Sequence, residues 1–306
     1  MGKTTQISLT SDGCDLYGEL LEPMQSDTIA LIVAGYGPID RNGNQPNGKN
    51  NCLKLVAEAL CSMGCASIRY DKRGVGASSF HGLTESELSF DDYVHDAQNW
   101  VRYIAARLTH YQHIMLIGVG EGALITSSIA NMPCVNNMIM IAASSLNRQK
   151  LLRLQLSSLP APFSTEALDI LDTLAANKPV DNVPESLNHL FRPSFQPYLR
   201  SLFRYEPVDI IARVKAPILL IYGDHDLELG ELNGLALEAA QPNARYCVIK
   251  GMNHVLKTVG EDYDSNRAAY DNPHQPLSLE LLREIRRFIR VTAPQSDLHG
   301  RGGLHH

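Results

Sequence analysis

The sequence has no long hydrophobic run and no excess of positive charge. No apolar stretch approaches the roughly 20 residues that a transmembrane helix needs, so we expect no membrane association. The first residues lack the apolar segment of a secretory signal. The 27 basic and 33 acidic residues give a formal net charge of −6, which argues against a nucleic-acid partner.

The sequence also lacks the cysteine spacing of a metal site. No second Cys or His pair accompanies Cys61 and Cys65, so we predict no zinc site and no cofactor. Free, mostly buried thiols are the simpler interpretation, and they favour a cytoplasmic location. The six cysteines are scattered along the chain: Cys14, Cys52, Cys61, Cys65, Cys134 and Cys247.

What the sequence does contain is an alternation of apolar strands and amphipathic helices. This alternation predicts an α/β fold with a doubly wound, mostly parallel sheet. The first twenty residues, with a turn at Asp12-Gly13, predict an antiparallel hairpin on the sheet edge and bring the count to eight strands. The other predicted strands are 28–37, 65–71, 113–118, 136–144, 216–224 and 244–251, and the main predicted helices are 52–64, 89–108, 121–131 and 278–291.

Residues 146–210 interrupt this alternation. They contain helical segments and several prolines but no strand-like run. We therefore predict a helical cap at 146–210, inserted into a core formed by residues 1–145 and 211–292. The polar, glycine-rich residues 293–306 are expected to be disordered.

Residues 117–125, IGVGEGALI, carry the main chemical signal. A strand, a Gly-x-nucleophile-x-Gly turn and a helix form the nucleophile elbow of hydrolases, but the nucleophile position here is Gly120. Glycine keeps the sharp turn, because it adopts positive φ freely, and it removes the attacking oxygen. A dinucleotide-binding turn is the competing interpretation, and we reject it because the motif lies far along the chain.

Candidate partners of this turn follow in the order that the hydrolase arrangement requires. Asp224 and Asp226 follow a late strand, and His254 follows the last one. We choose Asp226 as the acid and His254 as the base, and we assign Asp224 to shaping the turn.

The oxyanion hole is expected to use the backbone N–H groups of Tyr36 and Glu121. Gly35, Gly37 and Val119 flank these donors and are predicted to contact the substrate. The Glu121 carboxylate is interpreted as a first-turn residue that the helix dipole favours and that points away from the turn.

Two basic residues of the RYDKRGVGAS segment are interpreted differently. Lys72 and Arg73 could bind a substrate carboxylate, and we interpret them instead as solvated charges.

Taken together, these motifs resemble bacterial α/β-hydrolases of the carboxylesterase and serine-aminopeptidase-like group. The family elbow reads G-x-S-E-G where this chain reads GVGEG, and the family oxyanion loop usually reads GSGP where this chain has GYGP at 35–38. The resemblance implies ester hydrolysis through a Ser-Asp-His triad, with Gly120 in place of the serine. The matching stretches are AGYGPIDRNGN (34–44), RYDKRGVGAS (69–78), IGVGEGALI (117–125), FRPSFQPYLRSL (191–202), APILLIYGDHDLEL (216–229), GMNHVLK (251–257) and YDNPHQPL (270–277).

Three functions follow from this pattern. The first is a carboxylic ester hydrolase whose residue 120 has been replaced, by engineering or by recent loss, so that the chain is impaired or inactive. The second is a pseudoenzyme that binds a small apolar ligand. The third is a serine-independent enzyme in which the pair His254 and Asp226 acts as general base. In the first case the partner is a small-molecule ester or acyl substrate, and a homodimer is possible.

Overall fold

Eight strands form one sheet in the part of the chain that the computed structural model describes, residues 2–79 and 82–293. The strands are β1 (Lys3–Ser11), β2 (Cys14–Glu22), β3 (Thr28–Val33), β4 (Ala66–Tyr70), β5 (His113–Val119), β6 (Val135–Ile141), β7 (Ile218–Gly223) and β8 (Arg245–Ile249). Their order across the sheet is β1-β2-β4-β3-β5-β6-β7-β8. All neighbours from β4 to β8 are parallel, and the prediction of a mostly parallel eight-stranded sheet is confirmed.

The N-terminal hairpin lies on one edge of this sheet. β1 pairs antiparallel with β2, and β2 pairs antiparallel with β4. The two connecting residues, Asp12 and Gly13, have φ values of 47° and 78°. Such left-handed conformations favour Asp and Gly, which explains why this dipeptide ends one strand and starts the next.

Helices cover both faces of the sheet, because the central strands are apolar on both sides. The helices of the described residues are α1 (Cys52–Ser62), α2 (Phe90–Arg107), α3 (Glu121–Ile129), α4 (Arg148–Ser157), α5 (Phe163–Ala175), α6 (Asn188–Phe191), α7 (Gln196–Leu202), α8 (Pro207–Ile211), α9 (Leu232–Ala240), α10 (Tyr263–Ala268) and α11 (Leu279–Thr292). Helices α2, α3, α8 and α9 contribute to the core on one face, and α1 and α11 to the core on the other. Within the described residues, none of these helices is both long and apolar enough to cross a membrane.

The segment between β6 and β7 carries helices α4 to α8 and no strand among its described residues. Helices α4 to α7 have an apolar cluster of their own, in which Leu152, Leu171 and Phe191 are fully buried or nearly so. This cluster is joined to the core where Ser201 Oγ accepts a hydrogen bond from Phe90 N at 2.7 Å. The cap boundaries 146–210 stay a prediction, and the tail predicted to be disordered lies outside the described residues from 294 onward.

Candidate active site

Gly120 lies alone between the end of β5 and the start of α3. Its backbone has φ 56° and ψ −121°, a conformation that L-amino acids rarely adopt and that strains them. Its N–H donates to the Ile141 carbonyl at 2.9 Å, and its own carbonyl accepts from Ala123 N at 3.0 Å. The turn therefore has the sharp strand-to-helix geometry of a nucleophile elbow, although it carries no side chain at its apex.

The three glycines of this turn have different reasons to be glycine. A Cβ on Gly118 would lie 2.3 Å from the Gly122 carbonyl oxygen, and a Cβ on Gly122 would lie 2.2 Å from that of Val33. A Cβ on Gly120 would meet nothing closer than the Cα of Gly35, at 3.8 Å. Packing thus requires glycine at 118 and 122, whereas at 120 only the backbone conformation favours it.

His254 and Asp226 form a hydrogen-bonded pair beside this turn. Nδ1 of His254 lies 2.8 Å from Oδ2 of Asp226, whose side chain is only 1% exposed. The other carboxylate oxygen of Asp226 accepts from the backbone N–H groups of Glu228 and Leu229 at 2.7 and 3.0 Å. Asp226 is therefore fixed from two sides, and it holds the imidazole in one orientation.

The environment of His254 shifts its pKa upward. Burial acts in the opposite direction, but the hydrogen bond and charge of Asp226, together with the charge of Glu228, outweigh it and raise the pKa of His254. The imidazolium form is consequently favoured more than in a free histidine.

Asp224, the second aspartate of the predicted pair, occupies the turn itself. Its Oδ1 accepts from Gly251 N at 2.6 Å and lies 2.7 Å from Nδ1 of His225. It therefore links the loop after β7 to the loop after β8, and it makes no hydrogen bond or ion pair with His254 among the described residues.

Sequence reasoning missed Glu228. Its carboxylate is 48% exposed and lies 3.3 Å from Nε2 of His254, the nitrogen opposite Asp226. The sequence offered one signal, namely its position two residues after Asp226. Aspartate side chains often accept a hydrogen bond from the N–H of the second residue after them, and the tight turn that results keeps Glu228 close to Asp226. His254 is consequently held between two carboxylates.

The loop after β3 presents the second half of the site. The ammonium of Lys72 donates to the Gly35 carbonyl. In a planar trans peptide the N–H points opposite to the C=O, so the Tyr36 N–H is directed away from Lys72. Neither this N–H nor that of Glu121 has an acceptor among residues 2–79 and 82–293.

The interpretation of Lys72 and Arg73 as solvated charges is wrong. Lys72 is 2% exposed and lies 3.9 Å from Oε1 of Glu121, and burial lowers its pKa. Arg73 is 6% exposed and donates to Asp96 at 2.6 and 3.0 Å. A short charged run beside glycines is typical of a surface loop, so the sequence alone gave no sign of the buried carboxylates that receive these cations.

The Glu121 side chain belongs to the same buried cluster. Its Oε1 accepts from the Tyr198 hydroxyl at 2.6 Å and lies on the Lys72 side of the turn. The carboxylate is therefore occupied by these two partners.

One cavity of about 500 Å³ connects these groups. Of the residues chosen from the sequence, Gly35, Tyr36, Val119, Gly120, Glu121 and His254 line it. Asp226 lies behind His254, and Gly37 is not part of the lining. Helix α4 contributes Arg148, Leu151 and Gln155 from the segment between β6 and β7. Among the described residues, no group of three or more His, Cys, Asp or Glu side chains is placed to hold a metal ion.

The chain is similar in sequence to one described family and to a bacterial esterase. The family described as serine aminopeptidase, S33, matches residues 48–193. Esterase EstD of Thermotoga maritima is 24% identical over 249 residues, which are 79% of this chain and 58% of EstD, so the match spans less than two thirds of that relative's length.

Solved structures share the fold over nearly the whole chain. Est1E from Butyrivibrio proteoclasticus has a TM-score of 0.63 at 17% identity and covers 94% of this chain and 98% of its own. The Pyrococcus furiosus esterase Pf2001 has a TM-score of 0.60 at 15% identity, with coverages of 96% and 92%.

Proposed function

We propose that the chain is a carboxylic ester hydrolase of the α/β-hydrolase type in which Gly120 occupies the nucleophile position. The match to the serine aminopeptidase family, the similarity to esterase EstD and the fold shared with Est1E support this proposal. We further propose that this substitution leaves the chain impaired or inactive. The observation that carries the proposal is one cavity lined by both Gly120, in the elbow conformation, and His254, which is paired with Asp226.

With serine at position 120, the arrangement supports acyl transfer. Nε2 of His254 would take the hydroxyl proton as the oxygen attacks the ester carbonyl, and Asp226 would stabilise the imidazolium. The N–H groups of Tyr36 and Glu121 are the donors available for the oxyanion. The imidazolium would protonate the leaving alcohol, and a water activated by His254 would release the acid from the acyl-enzyme. Loss of a serine nucleophile costs on the order of 10⁶ in kcat in a protease, which is why we expect the glycine chain to be nearly silent.

The size and lining of the cavity favour a small substrate. A volume of about 500 Å³ lies in the ordinary range for small-molecule pockets. Its lining includes Leu124, Leu151, Leu202 and Val255, which suit a short aliphatic acyl or alcohol group.

The decisive experiment replaces Gly120 by serine and measures hydrolysis of p-nitrophenyl acetate and butyrate. We expect a large gain of kcat for Gly120→Ser. The matched control Gly120→Ala adds the same Cβ without the hydroxyl, so it should give no gain. A second control, Gly120→Ser with His254→Ala, should lose the gain, because no base then remains. A correctly folded Gly120→Ser protein without esterase activity would refute the proposal.

A second candidate rests on the open space at the turn. The space that a side chain on Gly120 would occupy is free of close contacts and is continuous with the cavity at His254. A water there could be activated by the His254–Asp226 pair without a covalent intermediate. This candidate is favoured if the unaltered chain already hydrolyses esters, His254→Ala abolishes the activity, and Gly120→Ser adds nothing.

A further inference from the structure

Arg148 is the first residue of α4, and its side chain lines the cavity that also contains Gly120 and His254. Its guanidinium lies over the ring of Tyr36, with Cζ 4.5 Å from the ring centroid. Stacking on an aromatic face fixes the orientation of a guanidinium while leaving its edge free to donate hydrogen bonds. The cation is therefore held beside the loop that presents the Tyr36 N–H.

Arg148 has no carboxylate partner within 4.0 Å among the described residues, and its Nε is buried without an acceptor. Three other arginines of the same segment are paired: Arg153 with Asp172, Arg192 with Glu85, and Arg204 with Asp91. Arg200 and Arg213 also have no carboxylate within 4.0 Å among the described residues, but neither lines the cavity. A buried donor without an acceptor costs about 1–3 kcal/mol. A cation in the first turn of a helix is also disfavoured by the helix dipole, and the first turn of α4 contains no acidic residue to offset it.

The other charged groups of the cavity already have partners. Glu121 has Lys72 and Tyr198, and Glu228 faces Nε2 of His254. In the described part of the chain, Arg148 is thus the one cavity-lining arginine or lysine.

We propose that Arg148 is an anion-binding subsite that selects esters carrying a free carboxylate, such as monoesters of dicarboxylic acids. The inference rests on the proposed ester hydrolysis for its substrate class. The planar fork of a guanidinium matches the two oxygens of a carboxylate. One guanidinium, in a lining without lysine or a second arginine, suits a singly charged group better than a phosphate, whose sites combine several donors and cations. With the carboxylate on Arg148, the ester carbonyl is the part of the molecule left to reach the turn at Gly120.

The binding test uses the unaltered chain, so that it does not depend on turnover. Calorimetry compares monomethyl glutarate with dimethyl glutarate, which has the same ester but no charge. We expect the monoester to bind at least ten-fold more tightly than the diester, and this preference to disappear in Arg148→Gln. Arg148→Lys should keep part of it, and Arg153→Gln, on the same helix, should keep all of it. An unchanged preference in Arg148→Gln, an equal loss for both ligands, or no binding of the monoester at millimolar concentration would overturn the proposal.

A kinetic test in the Gly120→Ser protein separates this proposal from the proposed function. The substrates are the mono-p-nitrophenyl ester of glutaric acid and p-nitrophenyl pentanoate. The subsite predicts that Arg148→Gln raises KM at least ten-fold for the first and leaves the second nearly unchanged. Hydrolysis of both substrates without this difference refutes the subsite and leaves the esterase standing. Charge-selective binding by the unaltered chain, with no hydrolysis after Gly120→Ser, supports the subsite and refutes the esterase.

Discussion

Replacing each glycine of the elbow by alanine gives three different expected outcomes. At position 120 the added Cβ has room, since its nearest neighbour would be the Gly35 Cα at 3.8 Å. The cost is conformational, because alanine at φ 56° and ψ −121° is strained by about 1–3 kcal/mol. Alanine also restricts the unfolded chain more than glycine does, and this entropic effect offsets about 0.4–1 kcal/mol of the strain. We therefore expect Gly120→Ala to lower the free energy of unfolding by about 1–2 kcal/mol.

At positions 118 and 122 the same methyl group meets backbone atoms. The nearest contacts would be 2.3 and 2.2 Å, and both involve carbonyl oxygens that belong to the elbow or to β3. The backbone of the turn or of β3 would have to move, so we expect losses above about 4 kcal/mol or failure to fold.

Thermal unfolding followed by circular dichroism measures the difference. For a chain of this size, 1 kcal/mol corresponds to roughly 2 °C in Tm. Gly120→Ala should therefore unfold a few degrees lower than the unaltered protein, while Gly118→Ala and Gly122→Ala fall much further or yield no folded protein. Equal losses at positions 120 and 122 would refute the packing argument. An increase in Tm for Gly120→Ala would refute the assignment of strain to the apex.

Three further predictions concern the charged side chains in and around the cavity. Lys72→Met leaves the Glu121 carboxylate buried without its cation, so we expect the free energy of unfolding, measured in urea, to fall by about 3–5 kcal/mol. Adding Glu121→Gln to the same chain should partly restore it, and no restoration would contradict the pairing. In the Gly120→Ser protein, kcat/KM should rise with pH with a midpoint above 6.5, because only neutral His254 accepts a proton and its pKa is raised; a midpoint below 6.5 would contradict this. Glu228→Gln removes one of the charges that raise that pKa, so the midpoint should move to lower pH in the same assay, and an unchanged midpoint would show that Glu228 has no influence on His254.

A stability measurement offers an independent check on His254. Because its pKa is raised in the folded protein, the stability it contributes is fully present below about pH 6.5, the pKa of the unfolded chain. This contribution is lost as the pH rises through the higher folded pKa. Between these values, Tm should therefore fall less steeply with pH in His254→Gln than in the unaltered protein.

The sheet could be predicted from the sequence because parallel strands buried on both faces are continuously apolar. The strand predicted at 113–118 is His113–Val119 in the structure, and the helix predicted at 89–108 is Phe90–Arg107. Both carry strong local signals, namely an uninterrupted apolar run and a serine cap with Asp92 in the first turn.

Helix α9 was missed because its residues carry a weak local signal. Asn233 and Gly234 lie near its start, and glycine inside a helix costs about 1 kcal/mol relative to alanine. The structure explains the glycine: a Cβ on Gly234 would lie 2.2 Å from the ring of Tyr246 and 2.6 Å from that of Tyr222. The packing of α9 against β7 and β8 therefore requires glycine at position 234, although glycine has a low helix propensity.

The residues of the candidate site also fall into those that the sequence could predict and those that it could not. Gly120, Asp226 and His254 were found because chain order and strand ends bring them together in a parallel sheet. Glu228 and Arg148 gave no comparable signal. The only signal for Glu228 was its position two residues after Asp226, and for Arg148 there was none, because spacing along the chain does not show which side chains face each other across a cavity.

The contact between Lys72 and the Gly35 carbonyl has an electronic consequence. A positive charge on a peptide oxygen draws electron density from the adjoining nitrogen and polarises its N–H, which here belongs to Tyr36. Lys72 is not among the residues that line the cavity. The acidity of the Tyr36 N–H is thus tuned from the protein interior, by a side chain that is not part of the cavity lining.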